Sequence, residues 1–226
     1  MCAEKFPLVS MGGRAEGLAA QTRERGPPSA LAEILLKFYC FRYDYFALQD
    51  IDEVIMPLKH NGWADMMKEV INASLSENAE MRSSWVFRNV YFLDNMLDMQ
   101  GHGNFSDIPP YMHMMQHVYR SYNYTNPGDY IKCFHNAERV LLLHNHYPLG
   151  CLPYSACFAY DVDLSVGHLQ HYRTECTPDL VPICHKYREI IVKDTAIWKW
   201  KEKVIQGTSE SLRQLGFFNS KKIACL

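Results

Sequence analysis

The sequence predicts an α/β domain in which short strands alternate with helices around a core. Three observations carry this expectation. Runs rich in aromatic and β-branched residues recur along the chain, separated by segments with helical spacing. Of the 226 residues, 48% are apolar and 21% charged, enough to bury a sizeable core. No internal repeat is present, and the longest apolar runs, such as Val140-Leu141-Leu142-Leu143, fall far short of the ~20 residues a spanning helix needs.

Taken in order, Met1–Ser29 carries Gly, Pro and Arg without a sustained period and is expected to be disordered. Residues 30–226 are expected to form the folded part. Ala30–Phe38 has helical spacing, with Ser29 placed as its N-cap after Pro27-Pro28. Tyr43–Gln49 is an aromatic-rich strand that delivers Asp50 at its carboxyl end, and Pro57 closes a short extended piece after it. Asn61-Gly62 starts a helix over Trp63–Ile71. Ser84–Leu93 is β-rich throughout and is expected to be one central strand. The Met-rich stretch after Pro110 fits a helix or an irregular strand. Arg139–His144 is expected to be a short buried strand, Leu164–Tyr172 another, and Lys193–Ile205 an amphipathic helix.

Charge and cysteine usage narrow the function classes. A net charge of -2 leaves no electrostatic footprint for nucleic acid or an anionic membrane. Residues 1–30 hold no apolar stretch of the kind a signal peptide requires. Of 8 cysteines, Cys133, Cys151, Cys157, Cys176 and Cys184 fall together, and no CxxC pair occurs, which argues against a zinc ribbon. At least one disulfide is expected among these five, with Cys176–Cys184 the first choice because it would pin a Pro-containing loop. Three N-x-S/T sequons, at Asn72, Asn104 and Asn123, point the same way, towards a glycoprotein made in an oxidising compartment.

The chemistry is expected at Asp50-Ile51-Asp52-Glu53. A hydrophobic strand ending in Asp-x-Asp places two carboxylates where open α/β sheets bind their ligands. Together they suit a hard divalent cation, which would neutralise a diphosphate. Asp161-Val162-Asp163 is a second Asp-x-Asp, also after an aromatic run.

Phe46-Ala47-Leu48-Gln49-Asp50-Ile51-Asp52-Glu53-Val54-Ile55-Met56-Pro57, with Trp63 and Met66-Met67 after it, resembles glycosyltransferase family 92. Phe87-Arg88-Asn89-Val90-Tyr91-Phe92, Lys132 through Val140, His144-Asn145-His146-Tyr147-Pro148 and His171-Tyr172-Arg173 follow in family-like order. Asp194 and Trp198-Lys199-Trp200-Lys201 come behind them, so the resemblance covers about residues 31–205. It implies a GT-A-like mixed sheet with flanking helices, of the β-1,4-galactosyltransferase type. It also implies transfer of a hexose, galactose first, from a UDP-sugar to a glycan on the lumenal side of the Golgi membrane. Manganese is the first expectation for the cofactor and magnesium the alternative. Asp50 and Asp52 are the expected metal ligands, completed by His171, with His146 and His144 as alternatives. Asp50, Asp52 and Arg173 are the expected donor-binding residues. Asp107 and Asp129 lie in the loop-rich middle and are candidates for the catalytic base, with nothing in their spacing to choose between them.

In a GT-A fold the strands that hold the uridine precede the acidic motif, and here only 49 residues do. The chain is therefore expected to be the C-terminal portion of the fold, with its nucleotide-binding half largely missing and any membrane anchor absent. As such it is expected not to turn over a UDP-sugar. Two other classes compete. One is a non-catalytic fragment or binding module. The other is a haloacid-dehalogenase-type phosphatase, whose nucleophile strand Asp50–Val54 also fits, although the late pair Asp161 and Asp163 lacks that family's glycine-aspartate setting.

Overall fold

A computed structural model describes residues 8–10, 43–99, 105–153, 156–176 and 178–218. The expected helix Ala30–Phe38 lies outside the described residues, as does most of Met1–Ser29. Within the latter segment, Leu8–Ser10 forms a strand, β1, where disorder is expected. A Leu-Val pair is a good strand former, and the neighbouring strand offers it an edge to pair with. Beyond β1, the expectation that a nucleotide-binding half is missing also falls outside the described residues. The chain divides into two compact units, Met1–Tyr91 with Asn123–His171, and Phe92–Tyr122 with Tyr172–Leu226.

The first unit is built on a five-stranded mixed sheet in the order β1-β2-β7-β4-β10. Its strands are β1, β2 (Tyr45–Gln49), β4 (Ser84–Phe87), β7 (Lys132–Asn136) and β10 (Ala159–Asp161). β1 runs parallel to β2 and β10 parallel to β4, whereas β7 is antiparallel to both β2 and β4. The expected mixed α/β class is therefore what the chain adopts. Helix α1 (Trp63–Glu77) turns Met66, Met67 and Val70 inward against Trp85, Phe87, Phe134 and Leu169. Their i, i+1, i+4 spacing is one helical face. Two indoles anchor this layer: Trp63 donates to the Ile55 carbonyl at 2.7 Å, and Trp85 donates to Ser74 Oγ at 3.2 Å.

A three-stranded sheet, β3-β11-β5, is made from β3 (Glu53–Pro57), β5 (Asn89–Leu93) and β11 (Gly167–Arg173). The antiparallel register of β3 and β11 sets Gly167 opposite Pro57 and His171 opposite Glu53. β11 starts later than expected because Asp163 closes a turn, accepting from the Ser165, Val166 and Gly167 amides. The single strand expected over Ser84–Leu93 is two, β4 and β5, in different sheets. Arg88 breaks the run, and its guanidinium donates to the Thr125 carbonyl at 2.6 Å. The strand expected to be buried at Arg139–His144 is β8 (Val140–Leu143), which among the described residues pairs with β9 (Pro148–Cys151) alone. In this two-stranded sheet Leu141, Leu142 and Leu149 stay exposed.

The second unit holds α2 (Asn95–Met99), α3 (His113–Gln116) and the antiparallel pair β6 (Tyr119–Ser121) and β12 (Ile191–Lys193). Arg120 meets Asp194 at 2.7 Å, and the Trp198 indole donates to the Met115 carbonyl at 2.9 Å. The stretch after Pro110 is thus both of its alternatives, a short helix followed by a strand. Lys193–Ile205 is not one helix: β12 ends at Lys193, a 3-10 turn spans Ala196–Trp200, and the helix proper is α5 (Lys201–Gln214), after the four-residue α4 (His185–Arg188). Asp194 accepts from the Ala196 amide and turns the chain there.

Cys176 and Cys184 are bridged as expected, with Cα atoms 6.0 Å apart, and Cys151–Cys157 forms a second disulfide at 5.2 Å. Cys133 is a buried free thiol. Among the described residues no helix is long and apolar enough to cross a membrane.

Candidate functional site

Asp50 follows the last residue of β2, and the chain turns at once: the Glu53 amide donates to the Asp50 carbonyl at 3.1 Å. The reversal leaves Ile51 at the tip, 77% exposed. Asp50 and Asp52 both keep partly exposed carboxylates, while Glu53 is buried at the head of β3.

Glu53 organises the turn from inside. Its Oε2 accepts from the Asp50 amide at 3.1 Å and from the Lys132 ammonium at 3.1 Å. Its Oε1 stands 3.5 Å from His171 Nδ1, an electrostatic contact longer than a good hydrogen bond. Lys132 comes from the sheet: Phe134 of β7 faces Ala47 of β2, and two residues further along that register carry Lys132 to the carboxyl end of β2. Its side chain is 0% exposed, and its ammonium also donates to Asp50 Oδ2 at 2.9 Å. Asn145 donates to the same oxygen at 3.2 Å.

These contacts decide the charge states. Burial pushes the Asp50 carboxyl upward, but the hydrogen bond and charge of Lys132, helped by Asn145, outweigh it and hold the group below its ordinary value. Glu53 goes the other way: burial raises it, and the charges of His171 and Lys132 offset only part of the shift. Asp50 is thus a partly exposed anion that feels the charge of Asp52.

The late histidines divide. The β3–β11 register brings His171 to the acidic turn, with Nε2 3.4 Å from Asp52 Oδ2 and the ring tilted against Tyr91 at 5.5 Å. His146 Nδ1 lies 2.8 Å from the Ile131 carbonyl, which fixes that nitrogen as the N–H donor and turns Nε2 into the acceptor. Burial lowers His146, and it lies within electrostatic reach of Asp50, Lys132 and His171. His144 stacks on Tyr147 at 4.6 Å, and its Nδ1 accepts from the His146 amide. Elsewhere, Arg173 directs Nε to the Glu175 carbonyl at 3.4 Å, Asp107 pairs with Lys201 at 2.5 Å, and Asp129 accepts from Asn126 at 3.0 Å. Of the residues expected at one centre, the fold therefore gathers Asp50, Asp52 and His171, with His146 within electrostatic reach.

Sequence reasoning missed Lys132 and Asn145. The signal for Lys132 was an isolated lysine inside Ile131-Lys132-Cys133-Phe134, an otherwise apolar strand, where a charge demands a partner.

The donor set fits a cation only in part. Among the described residues no three His, Cys, Asp or Glu side chains converge closely enough to hold a metal ion by themselves. Asp52 and His171 do present an oxygen and a nitrogen 3.4 Å apart, the separation of adjacent ligands on one ion with bonds of ~2.1 Å. Two or three protein donors completed by substrate phosphates and water are a normal shell for magnesium and related ions.

The fold is a mixed α/β sheet with an acidic turn at the carboxyl end of a strand, the edge at which open α/β sheets bind ligands. The model of glycosyltransferase family 92 matches residues 36–223, and the chain belongs to this family. It is a glycosyltransferase domain by descent, which sets aside the phosphatase alternative. No curated protein matches the chain significantly.

Proposed function

We propose that this domain transfers a hexose, galactose first, from a UDP-sugar to a glycan acceptor with the help of a divalent cation, manganese before magnesium. The observation that carries this reading is the meeting of Asp52 and His171 across the β3–β11 register, 3.4 Å apart beside Asp50. A bound cation would supply charge neutralisation for the departing diphosphate. The chain's own residues do the rest. Asp50 and Asp52 offer carboxylate oxygens, and His171 offers Nε2 with its other ring nitrogen turned towards Glu53. Glu53 and Lys132 keep the turn closed beneath them. Asp107 and Asp129 stay as candidates for deprotonating the acceptor hydroxyl. The two disulfides support maturation in an oxidising compartment, which agrees with work in the Golgi lumen.

Calorimetric titration of UDP with and without manganese tests the reading, with Asp52→Ala as control. Expected is manganese-dependent binding that the substitution removes. Binding indifferent to manganese would refute the cation site. No binding at all would favour the non-catalytic reading.

A further inference from the structure

Lys132 has a role that the acidic motif alone does not reveal. β7 is buried at every position, and Lys132 is its only residue with a formal charge at neutral pH, 0% exposed. A lysine in such a place is retained only with close, well-aimed partners. It has two, one on each side of the turn: Asp50 Oδ2 at 2.9 Å and Glu53 Oε2 at 3.1 Å. Together with Asn145 it occupies Oδ2 of Asp50, so a ligand at Asp50 meets the other carboxylate oxygen. Through Glu53 it also reaches the Asp50 amide and the ring edge of His171. One buried ammonium thus ties together the strand end, the turn and the late histidine.

We propose that Lys132 is a positioning residue of the donor site: it aims the Asp50 carboxylate, and through Glu53 the His171 ring, so that the cation and diphosphate meet a preformed set of donors. The inference rests on the donor-site reading above. It differs from a mere balancing of buried charge, in which any neutral replacement of the pair would serve equally well. Preformation matters because a carboxylate free to turn must be ordered when the ligand arrives, at the expense of affinity.

The test separates the two roles. Lys132→Met leaves Glu53 buried without its cation, and its unfolding midpoint should fall by about 10 °C. Adding Glu53→Gln removes the stranded charge and should recover most of that loss. Manganese alone, followed by electron paramagnetic resonance, and UDP with manganese, followed by calorimetry, are then measured on wild type and on the double variant. Both affinities should remain at least about tenfold weaker in the recovered double variant, the worth of a hydrogen bond to a charged group. Wild-type affinity in the double variant would overturn the positioning role and leave only charge balance. Asn145→Ala, at an exposed partner of the same oxygen, gives a second probe with little risk to folding: an affinity loss of about threefold is expected, and an unchanged affinity counts against the clamp. A wild-type chain that binds neither manganese nor UDP overturns the donor-site reading itself, and this role with it.

Discussion

Gly167→Ala should destabilise the first unit by about 2–3 kcal/mol, through space alone. Gly167 is buried at the start of β11, and a Cβ built there would lie 2.8 Å from Met66 Sδ, 3.0 Å from Phe87 Cε1 and 3.1 Å from the Met56 carbonyl oxygen. Real Cβ atoms essentially never sit under 3.0 Å from such atoms. Met66 is the one flexible neighbour, but it is fully buried in the cluster with Trp85, Phe87 and Leu169, where close packing limits how far it can shift. The Met56 oxygen belongs to the strand paired with β11, so relief there means parting β3 from β11. Overpacking by one methyl costs about 1–3 kcal/mol, and a backbone obstacle places this case in the upper half. Urea unfolding followed by tryptophan fluorescence should show a lowered midpoint with unchanged slope, and thermal melts a fall of about 5–10 °C. A loss under about 0.5 kcal/mol, within the range of ordinary surface changes, would show that β11 does not pack this closely on α1 and would weaken the placement of His171.

Three further outcomes are expected. His135 is buried in the sheet and pushed down to about 3 by desolvation, so it stays neutral in the folded chain while the unfolded chain takes up a proton near pH 6.5. Stability should therefore fall as pH drops below 6.5, by about 2 kcal/mol between pH 7.5 and 5. His135→Phe should remove that share of the slope, leaving the share of His117, which burial likewise lowers to about 4; urea melts at the two pH values that differ equally in variant and parent would refute it. Replacing Cys176 and Cys184 by Ser should cost about 2–3 kcal/mol by freeing a short loop, provided a non-reducing peptide map first shows them linked to each other; any other pairing refutes the bridge. Cys133, pushed up to about 12 mainly by burial, should resist iodoacetamide at pH 8 until urea opens the fold, and rapid labelling of its peptide in the native protein would contradict its burial.

Elements governed by local chemistry were legible in the sequence. β2, β3 and α1 fall where aromatic runs, Pro57 and the Asn61-Gly62 start place them, and the carboxylates of Asp50 and Asp52 stand at a strand end. What escaped depends on pairing at long range. Nothing within Ser84–Leu93 marks Arg88 as a break, because its reason is a carbonyl 37 residues on. Leu141 and Leu142 look like core until it is known that, among the described residues, β8 pairs with β9 alone. Lys132 lies 82 residues from Asp50 in sequence, and only the β2–β7 register joins them. His171 was placed at the centre by resemblance rather than by spacing, and its physical reason, the register opposite Glu53, is likewise non-local.

The chain also carries its own comparison for the acidic motif. Asp161-Val162-Asp163 repeats the Asp-x-Asp pattern after a strand, yet its second carboxylate accepts from the Ser165 amide at 2.7 Å and serves to close a turn. Its middle residue, Val162, is buried, whereas Ile51 at the other motif is thrust into solvent. The difference follows from the fourth residue. After Asp163 comes Leu164, which has nothing to hold a cation or a histidine. After Asp52 comes Glu53, buried at the head of β3, where one oxygen engages Lys132 and the other faces His171. Alternation then leaves the two outer carboxylates partly exposed while the third faces the protein. Two acids one residue apart form a common turn; a third acid buried next to them, opposite a histidine and against a lysine, gives that turn the donors the proposed site requires. The informative unit is therefore Asp50-Ile51-Asp52-Glu53 with Lys132 and His171, six residues from the turn between β2 and β3 and from three strands, β3, β7 and β11.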